Sequence, residues 1–454
     1  MGTVEYEILK EKENEMKSII IAHPGKQHSF HTAIGVKKPG FRMQYCTTVY
    51  DKPGSLTHFI KRFLSKNDSE KANTRRNSEI KDSEVCQILE WYGLYQLFMM
   101  RRNISGDRYN KINDSLNVKF GHRVAKLAKK THVDAVISYD NNSMTLFSDL
   151  KRMSPETIRI LDVSAANRIY MKEIYKSDLQ LSPDFADKLK EECPIIESEK
   201  VCERVQKEIE LSQYFLVGSS FVKKSLEYSG VKSEQIYICP YGVDTSKFYR
   251  KALKIRTESE PIRFVFVGGT KQLKGLSYML QAFQKVDHTK ATFTIIGADN
   301  LYEKLKEKYA KDVNFAGMIL HDKMPEVLQD YDVMVFPSLG EGFSLSMVEA
   351  MACGLPVIAS NCQSGPKEIL DDVSKLDVDG VYKAKYGIIY KNYSSLEEDY
   401  SPNITKEHQI LADAMELLYS DKNLQEYYKK QSIKRAKEFN YEETGKKLEE
   451  ILNA

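Results

Sequence analysis

The sequence predicts an α/β protein made of two doubly wound domains, and three observations predict it. From Ile262 onward, short β-rich runs alternate with helix-length segments, the order of a parallel sheet wound with helices. The first half shows the same alternation less cleanly. Between the halves, Lys247 to Pro261 is polar and charged and ends in Glu-Ser-Glu-Pro, the composition of an exposed connection.

In chain order, the first half offers strands at Lys17 to Ala22, Asp134 to Ser138, Ile158 to Val163, Tyr214 to Gly218 and Gln235 to Cys239. The second offers Ile262 to Val267, Ala291 to Gly297, Val313 to Phe315, Val333 to Pro337, Leu355 to Ser360 and Tyr386 to Tyr390. Asp421 to Leu452 is rich in Lys, Glu, Tyr and Leu without a strand pattern, so it reads as helix, either packed back across both domains or solvated at the end. The boundary falls near Phe248. The expected units are 1–247, 248–430 and a C-terminal helix over 431–454.

The 454 residues are 42% hydrophobic and 29% charged, which excludes disordered, fibrous and collagenous classes. Lys+Arg 67 against Asp+Glu 64 leaves +3, too balanced for a chain whose task is to wrap nucleic acid. No apolar run approaches the roughly 20 residues that span a bilayer. Met1 to Lys17 is acidic and lacks the pattern of a secretory signal. Seven Cys, at 46, 86, 193, 202, 239, 353 and 362, are scattered and never spaced C-x-x-C, so reduced thiols and a cytoplasmic location are expected. Sequons such as Asn103 and Asn403 are then chance matches.

The most informative stretch is Pro337 to Ser360, PSLGEGFSLSMVEAMACGLPVIAS. A buried strand ends at Pro337, Gly340 and Gly342 bracket Glu341 in a turn, and a helix starts near Ser344. Backbone N–H groups of Phe343, Ser344 and Leu345 at that helix start attract a phosphate through unsatisfied donors and the helix dipole. Glu349 lies one turn further on, beside Leu345, Val348 and Ala352, so its carboxylate points along a cleft, where it can accept both hydroxyls of a ribose. Standing alone, the two glutamates would read as a loop charge and a surface charge. Strand, Gly-Glu-Gly turn, helix and second strand, however, arrive in the order of a nucleotide site at the carboxyl edge of a parallel sheet.

This segment, with its E-x7-E spacing followed by EAMACGLPVIAS, resembles the donor-binding signature of retaining glycosyltransferases of family 4. The resemblance implies the GT-B fold: two facing Rossmann-like domains with a cleft between them and a C-terminal helix that crosses back. Phe264 to Gly275, FVFVGGTKQLKG, looks like the first strand and loop of the nucleotide domain, with Gly268 and Gly269 in the loop and Lys274 reaching the leaving diphosphate. Where an Arg often follows the first Gly, this chain has Gly269; Lys271 is the candidate substitute. Pro240 to Asp244, PYGVD, followed by Phe248, looks like the turn that closes the first domain. Val313 to Ile319, VNFAGMI, resembles the turn near the base, with Gly317 letting the base approach backbone. The resemblance is strong across Phe215 to Leu370 and weak across the first 200 residues, the acceptor side.

In the first domain, Ile19 to Gly35 reads IIIAHPGKQHSFHTAIG, a strand, a Pro-Gly loop and a helix from near Gln27. In a GT-B protein that loop faces the donor, which places Gly25, Lys26 and His28 among site residues, His28 as hydrogen-bond donor to the sugar. His23, His28 and His31 are not read as a metal set, because no carboxylate lies in the loop and His31 would turn away on the helix. Family members often carry a His after a later strand. Here SYDNNS (138–143) and LDVSAANR (161–168) have none, leaving Asp140, Asp162, Ser164 and Arg168 as acceptor contacts or helix caps.

The resemblance implies transfer of a sugar from a nucleotide-diphosphate donor, a UDP-sugar ahead of a GDP-sugar, to an acceptor hydroxyl with retained configuration. Lys274 and the helix start would stabilise the leaving phosphate without a metal or other cofactor, Glu341 would orient the sugar and Glu349 the ribose. Expected partners are the nucleotide sugar and a glycan, lipid-linked or protein acceptor. The alternatives are an inactive transferase-like scaffold subunit and a sugar-nucleotide 2-epimerase. Finally, residues 61–130 carry 16 Lys/Arg against 8 Asp/Glu, and within them Ile88 to Met100 holds ten large apolar residues, among them the chain's one Trp. This segment is either a buried core helix beside a solvated basic face or a helix that lies in a membrane interface.

Overall fold

The computed structural model describes residues 16–26, 28–37, 41–102, 107–251, 260–298, 301–362, 365–372, 380–391 and 404–453. Gln27, the 252–259 part of the expected connection and the sequons at Asn103 and Asn403 lie outside the described residues. Among those described, two seven-stranded sheets form. The first holds β1 (Lys17–Ala22), β2 (Phe41–Thr47), β3 (Val85–Gln87), β4 (Ala135–Tyr139), β5 (Ile158–Val163), β6 (Tyr214–Val217) and β7 (Ile236–Ile238), ordered β3-β2-β1-β4-β5-β6-β7 and all parallel. The second holds β8 (Ile262–Val267), β9 (Ala291–Ile296), β10 (Asn314–Gly317), β11 (Val333–Phe336), β12 (Val357–Ser360), β13 (Val381–Lys383) and β14 (Ile388–Tyr390), ordered β10-β9-β8-β11-β12-β14-β13. Only the β13–β14 pair in it is antiparallel.

The strands are apolar runs because helices cover both faces of each sheet. Alternate residues feed opposite layers: Phe264, Phe266, Val333 and Val335 pack into one, Val265, Met334 and Phe336 into the other. Ile20 and Val136 against Ile19, Ile21 and Ile137 do the same in the first sheet. In each sheet the strand order reverses at the first strand, β1 between β2 and β4, β8 between β9 and β11. Connections there leave to opposite faces, so a crevice opens at the carboxyl ends. The loops after β1, β4, β8 and β11 are those that carry Gly25 and His28, Asp140, Lys274, and Glu341.

Strands β2, β3 and β13 were not among the sequence-predicted ones. β2 carries Arg42 and Gln44, which break its apolar run, and β3 and β13 are three-residue edge strands whose side chains are largely outside the core. The expected single helix over 431–454 is instead two. Lys422–Ala436 packs on the Leu345–Ala352 helix of the second domain, and Arg435 fixes it there by donating to the carbonyls of Ile369 (3.0 Å) and Glu368 (2.7 Å). The chain then passes Gly242 so closely that a Cβ on that glycine would stand 2.6 Å from the Asn440 carbonyl carbon. Glu442–Asn453 completes the crossing, placing Leu448, Ile451 and Leu452 in the first domain's core against the Ser29–Val36 helix.

A second crossing, absent from the sequence reading, runs the other way. The helices Arg168–Leu181 and Ala186–Glu192 belong by sequence to the first domain, yet Phe185 between them is buried in the second domain's core with Phe264 and Leu276. Because Leu448 anchors the crossing helix in the first domain's core, Leu448→Ala should lower stability by about 2–5 kcal/mol in chemical denaturation. Glu449→Ala, on the exposed face of the same helix, should stay within about 0.5 kcal/mol of the parent.

Candidate active site

The loop after β8 is shaped by two contacts that only glycine permits. Gly275 has φ +70°, and a Cβ there would stand 1.8 Å from the Pro337 carbonyl oxygen at the end of β11. Gly297 would likewise meet the Gly268 carbonyl oxygen at 1.9 Å. The first contact draws Lys274 beside the Glu341 turn, where its ammonium pairs with the Glu341 carboxylate, which also accepts from Ser338 Oγ at 3.1 Å. The far side of the same loop is held from the first domain. The Glu192 carboxylate accepts the backbone N–H groups of Gln272 (3.2 Å) and Leu273 (3.1 Å). Asp178 accepts from Gln272 Nε2 (2.8 Å) and Tyr278 Oη (2.6 Å), and burial pushes its carboxyl up to about 6.

Gly342 is the point where the two carboxyl edges touch. A Cβ on it would lie 2.1 Å from the Ser164 carbonyl oxygen, and its own carbonyl accepts from Ser219 Oγ at 2.6 Å. Next to it, Ser344 stands before the helix Leu345–Ala352 without capping it. Its buried hydroxyl has no hydrogen-bond partner among the described residues, and neither have the backbone N–H groups of Phe343, Ser344 and Leu345. Unpaired donors at a helix start form an anion-binding position. Gly317, at the end of β10, has φ +72° and open space on its Cβ side.

Glu349 opens into a cleft of about 780 Å³ between the domains, within the range of small-ligand sites. Lys26, Phe30 and His31 line it from the first domain, Phe248, His321 and Tyr441 from elsewhere. Glu349 accepts from His321 Nε2 at 2.7 Å, and the imidazole also lies against the Phe248 ring. That hydrogen bond, with the carboxylate's charge, raises the His321 pKa above its ordinary 6.5. Lys26 has no ion pair among the described residues. Burial, then Arg75, lowers its pKa.

Other expected residues fall differently. Asp162, an acceptor candidate, is 2% exposed. It accepts from Thr32 Oγ1 (2.6 Å) and Tyr241 Oη (3.0 Å) and pairs with His28 Nε2 (3.1 Å), so no face of it remains for an acceptor. His28 is held by that carboxylate between the rings of Tyr139 and Tyr241, which leaves Nδ1 as its one nitrogen for a ligand. His31 does not turn away. It stacks on Tyr441 in the cleft, and burial lowers it to about 4, so it is neutral at neutral pH. His23 Nδ1 accepts the Gly25 N–H at 2.8 Å. Asp140 and Arg168 line a separate void of about 30 Å³, room for a water, beside Glu208. Ser164 reaches only toward Asp140, at 3.4 Å.

Sequence reasoning missed His321, Glu192, Asp178 and Tyr241. His321 follows the quoted VNFAGMI stretch by one residue after Leu320, and Tyr241 lies inside the quoted PYGVD, so both were within reach of the motifs already singled out.

Two Rossmann-like sheets facing each other across a cleft, with a chain end that crosses back, make this a GT-B fold. Residues 261–384 match the family model described as "Glycosyl transferases group 1". An uncharacterized glycosyltransferase of Methanocaldococcus jannaschii is 31% identical over 202 residues, 42% of this chain and 49% of the relative. An Escherichia coli galactosyltransferase, named for UDP-galactose and GlcNAc-diphosphoundecaprenol, is 31% identical over 144 residues, 28% of this chain and 37% of the relative. The chain thus spans less than half the length of these relatives. Among solved structures, sucrose-phosphate synthase from Thermosynechococcus elongatus aligns over 96% of this chain and 98% of its own, with TM-score 0.63 and 15% identity. Anabaena HepE in complex with UDP and glucose aligns over 97% and 100%, with TM-score 0.56 and 14% identity. At these identities the likeness is one of fold.

The His321–Glu349 pair has a defined pH signature. A raised imidazole pKa stabilises the folded state fully below its ordinary value near 6.5, and the contribution is lost as pH rises through the raised value. Thermal unfolding followed from acidic to alkaline pH should therefore show a decline above neutrality that His321→Ala removes.

Proposed function

We propose that the chain is a retaining glycosyltransferase of family 4, transferring a sugar from a nucleotide diphosphate to an acceptor hydroxyl. The observation that carries this reading is the grouping of Lys274, Glu341 and unpaired helix-start N–H groups at the meeting of the two carboxyl edges, with Glu349 one helical turn on in the cleft. The partial match to the group 1 glycosyl transferase model over 261–384, which contains all of these residues, supports it.

Bond breaking at the anomeric carbon leaves positive charge on the ring and negative charge on the diphosphate. Lys274 and the N–H groups of Phe343, Ser344 and Leu345 meet that negative charge as it develops, in a site where the donors are already aimed. Glu341 takes sugar hydroxyls once the phosphate draws Lys274 away, and His28 offers Nδ1 from the opposite wall. Glu349 takes the ribose hydroxyls in place of His321. A departing phosphate oxygen accepts the acceptor's proton, and retention follows from acceptor attack on the face the diphosphate leaves. Ribose and diphosphate contacts do not read the base. The UDP-galactose in the Escherichia coli relative's name supports a UDP-sugar, with a GDP-sugar as the alternative, and its diphosphoundecaprenol supports a lipid-linked acceptor among the glycan, lipid and protein classes. The reaction belongs to glycan, glycolipid or glycoprotein biosynthesis on the cytoplasmic side.

Two outcomes test the proposal. Lys274→Ala should lower kcat by roughly 10²–10³-fold, the scale of losing one transition-state donor, whereas Glu349→Ala should chiefly raise the donor KM. Unchanged kinetics in both folded variants would remove the assignment. Separately, sugar transfer should continue in excess EDTA, because the leaving group's counter-charge is supplied by Lys274 and backbone; loss that magnesium or manganese restores would count against the site as drawn.

A further inference from the structure

Helices Leu56–Lys61 and Glu90–Arg101 lie side by side at the carboxyl edge of the first sheet. At one end the Glu90 carboxylate accepts the N–H groups of Leu56 (3.2 Å) and Thr57 (2.7 Å); beyond the other end Arg101 meets Asp68 at 3.5 Å. Gly93 seats the second helix flat, since a Cβ there would stand 2.2 Å from Thr48 Oγ1. Of its twelve residues only Gly93 and Met99 are buried. The core-helix reading therefore holds for Ile88 and Met99 and fails for most of the Glu90–Arg101 helix.

What faces outward is apolar. Trp91, Tyr95 and Phe98, spaced i, i+4, i+7 on one stripe, are 70%, 43% and 50% exposed. On the neighbouring helix and its following turn, Phe59 and Phe63 are 56% and 75% exposed, their rings 5.3 Å apart. A monomer seldom leaves this many large aromatic rings exposed on two neighbouring helices. Its rim is cationic: Arg62 and Arg102 are exposed, and the Arg102 guanidinium sits 5.5 Å from the Phe98 ring. Glu90, the one acid of the two helices, is turned inward to the helix start. The surrounding 61–130 segment holds twice as many bases as acids.

We propose that this helix pair is a docking face for an anionic lipid bilayer surface. Trp91, Phe98, Phe59 and Phe63 enter the boundary between headgroups and acyl chains, and Arg62 and Arg102 meet lipid phosphates. Exposed aromatic rings beside arginines match the apolar boundary and the anionic layer above it at once. Thr48, on which Gly93 rests, donates to the Pro24 carbonyl at 2.5 Å, and Thr47 donates to the Gly25 carbonyl at 3.0 Å. The buried underside of this helix thus rests next to the loop that brings Lys26 to the cleft. Only the corollary that a lipid-linked acceptor reaches the cleft from this side rests on the glycosyltransferase reading.

Trp91 is the chain's one tryptophan, so its emission reports this face alone. With the full chain, vesicles of phosphatidylcholine plus phosphatidylglycerol should shift that emission to the blue and carry the protein into the pellet at low salt, with release as salt rises. Phosphatidylcholine alone should do neither. The double variant Phe63→Glu/Phe98→Glu should lose roughly tenfold or more of the bound fraction while keeping the parent's unfolding temperature and its thermal shift with UDP. No blue shift with anionic vesicles, or undiminished binding by the double variant, overturns the proposal. So does a blue shift that grows with protein concentration in the absence of lipid, which assigns the face to a second copy of the chain. Absence of a UDP shift in the parent, with docking intact, counts against the nucleotide site alone.

Discussion

The candidate site depends on one close approach, Gly342 against Ser164. With no Cβ between them, a turn at the carboxyl edge of one sheet rests on backbone at the carboxyl edge of the other. Each edge alone would offer a crevice at its switch point. In contact, the crevices become two walls of one cleft, and the residues after β1 stand opposite those after β11. Any side chain at 342 would have to separate the walls. A turn with Glu341 on one side and the helix-start donors on the other could then no longer be fixed relative to both domains.

Two chain crossings keep that contact in place, and they differ in chemistry. The C-terminal crossing is apolar: Leu448, Ile451 and Leu452 are buried in the first domain, so its strength is area removed from water. The 168–192 crossing ends in carboxylates. Glu192 and Asp178 receive donors from the Lys274 loop, and both are held above their ordinary pKa by burial. A buried carboxylate that accepts two hydrogen bonds costs much to leave unpaired, which makes it a restrictive way to hold a loop. The structure thus uses nonspecific burial to hold the domains together and directional bonds to aim Lys274.

Most of the fold was legible because parallel strands covered on both faces must be apolar runs, and β8, β9, β11 and β12 are such runs. β2 and β3 escaped because they lie toward an edge, where Arg42, Gln44 and Gln87 are tolerated. The glycine turns, Lys274, Glu341 and Glu349 were readable because a strand, a turn and a helix start are local in sequence. Their partners were not. His321 meets Glu349 from 28 residues away and Glu192 meets Gln272 from 80, distances at which no spacing rule operates. Asp162 shows the opposite failure. Its place at the end of β5 suggested an exposed contact, but His28 and Thr32 from the segment after β1 and Tyr241 from beyond β7 converge on it and close it off.

Lys274 with Glu341 and His321 with Glu349 share a feature that bears on how such a cleft stays folded while empty. Each carboxylate proposed to receive ligand hydroxyls already holds an internal cation or donor, so neither of the two stands unpaired without a ligand. A ligand that engages both glutamates must then displace a partner at each, and only one that brings phosphate for Lys274 and hydroxyls for both glutamates replaces everything it breaks. A free sugar or inorganic phosphate replaces only part of the Lys274–Glu341 pair and leaves the His321–Glu349 pair unmet. Internal pairing therefore favours a molecule that joins the two, at the cost of the affinity spent in opening each pair.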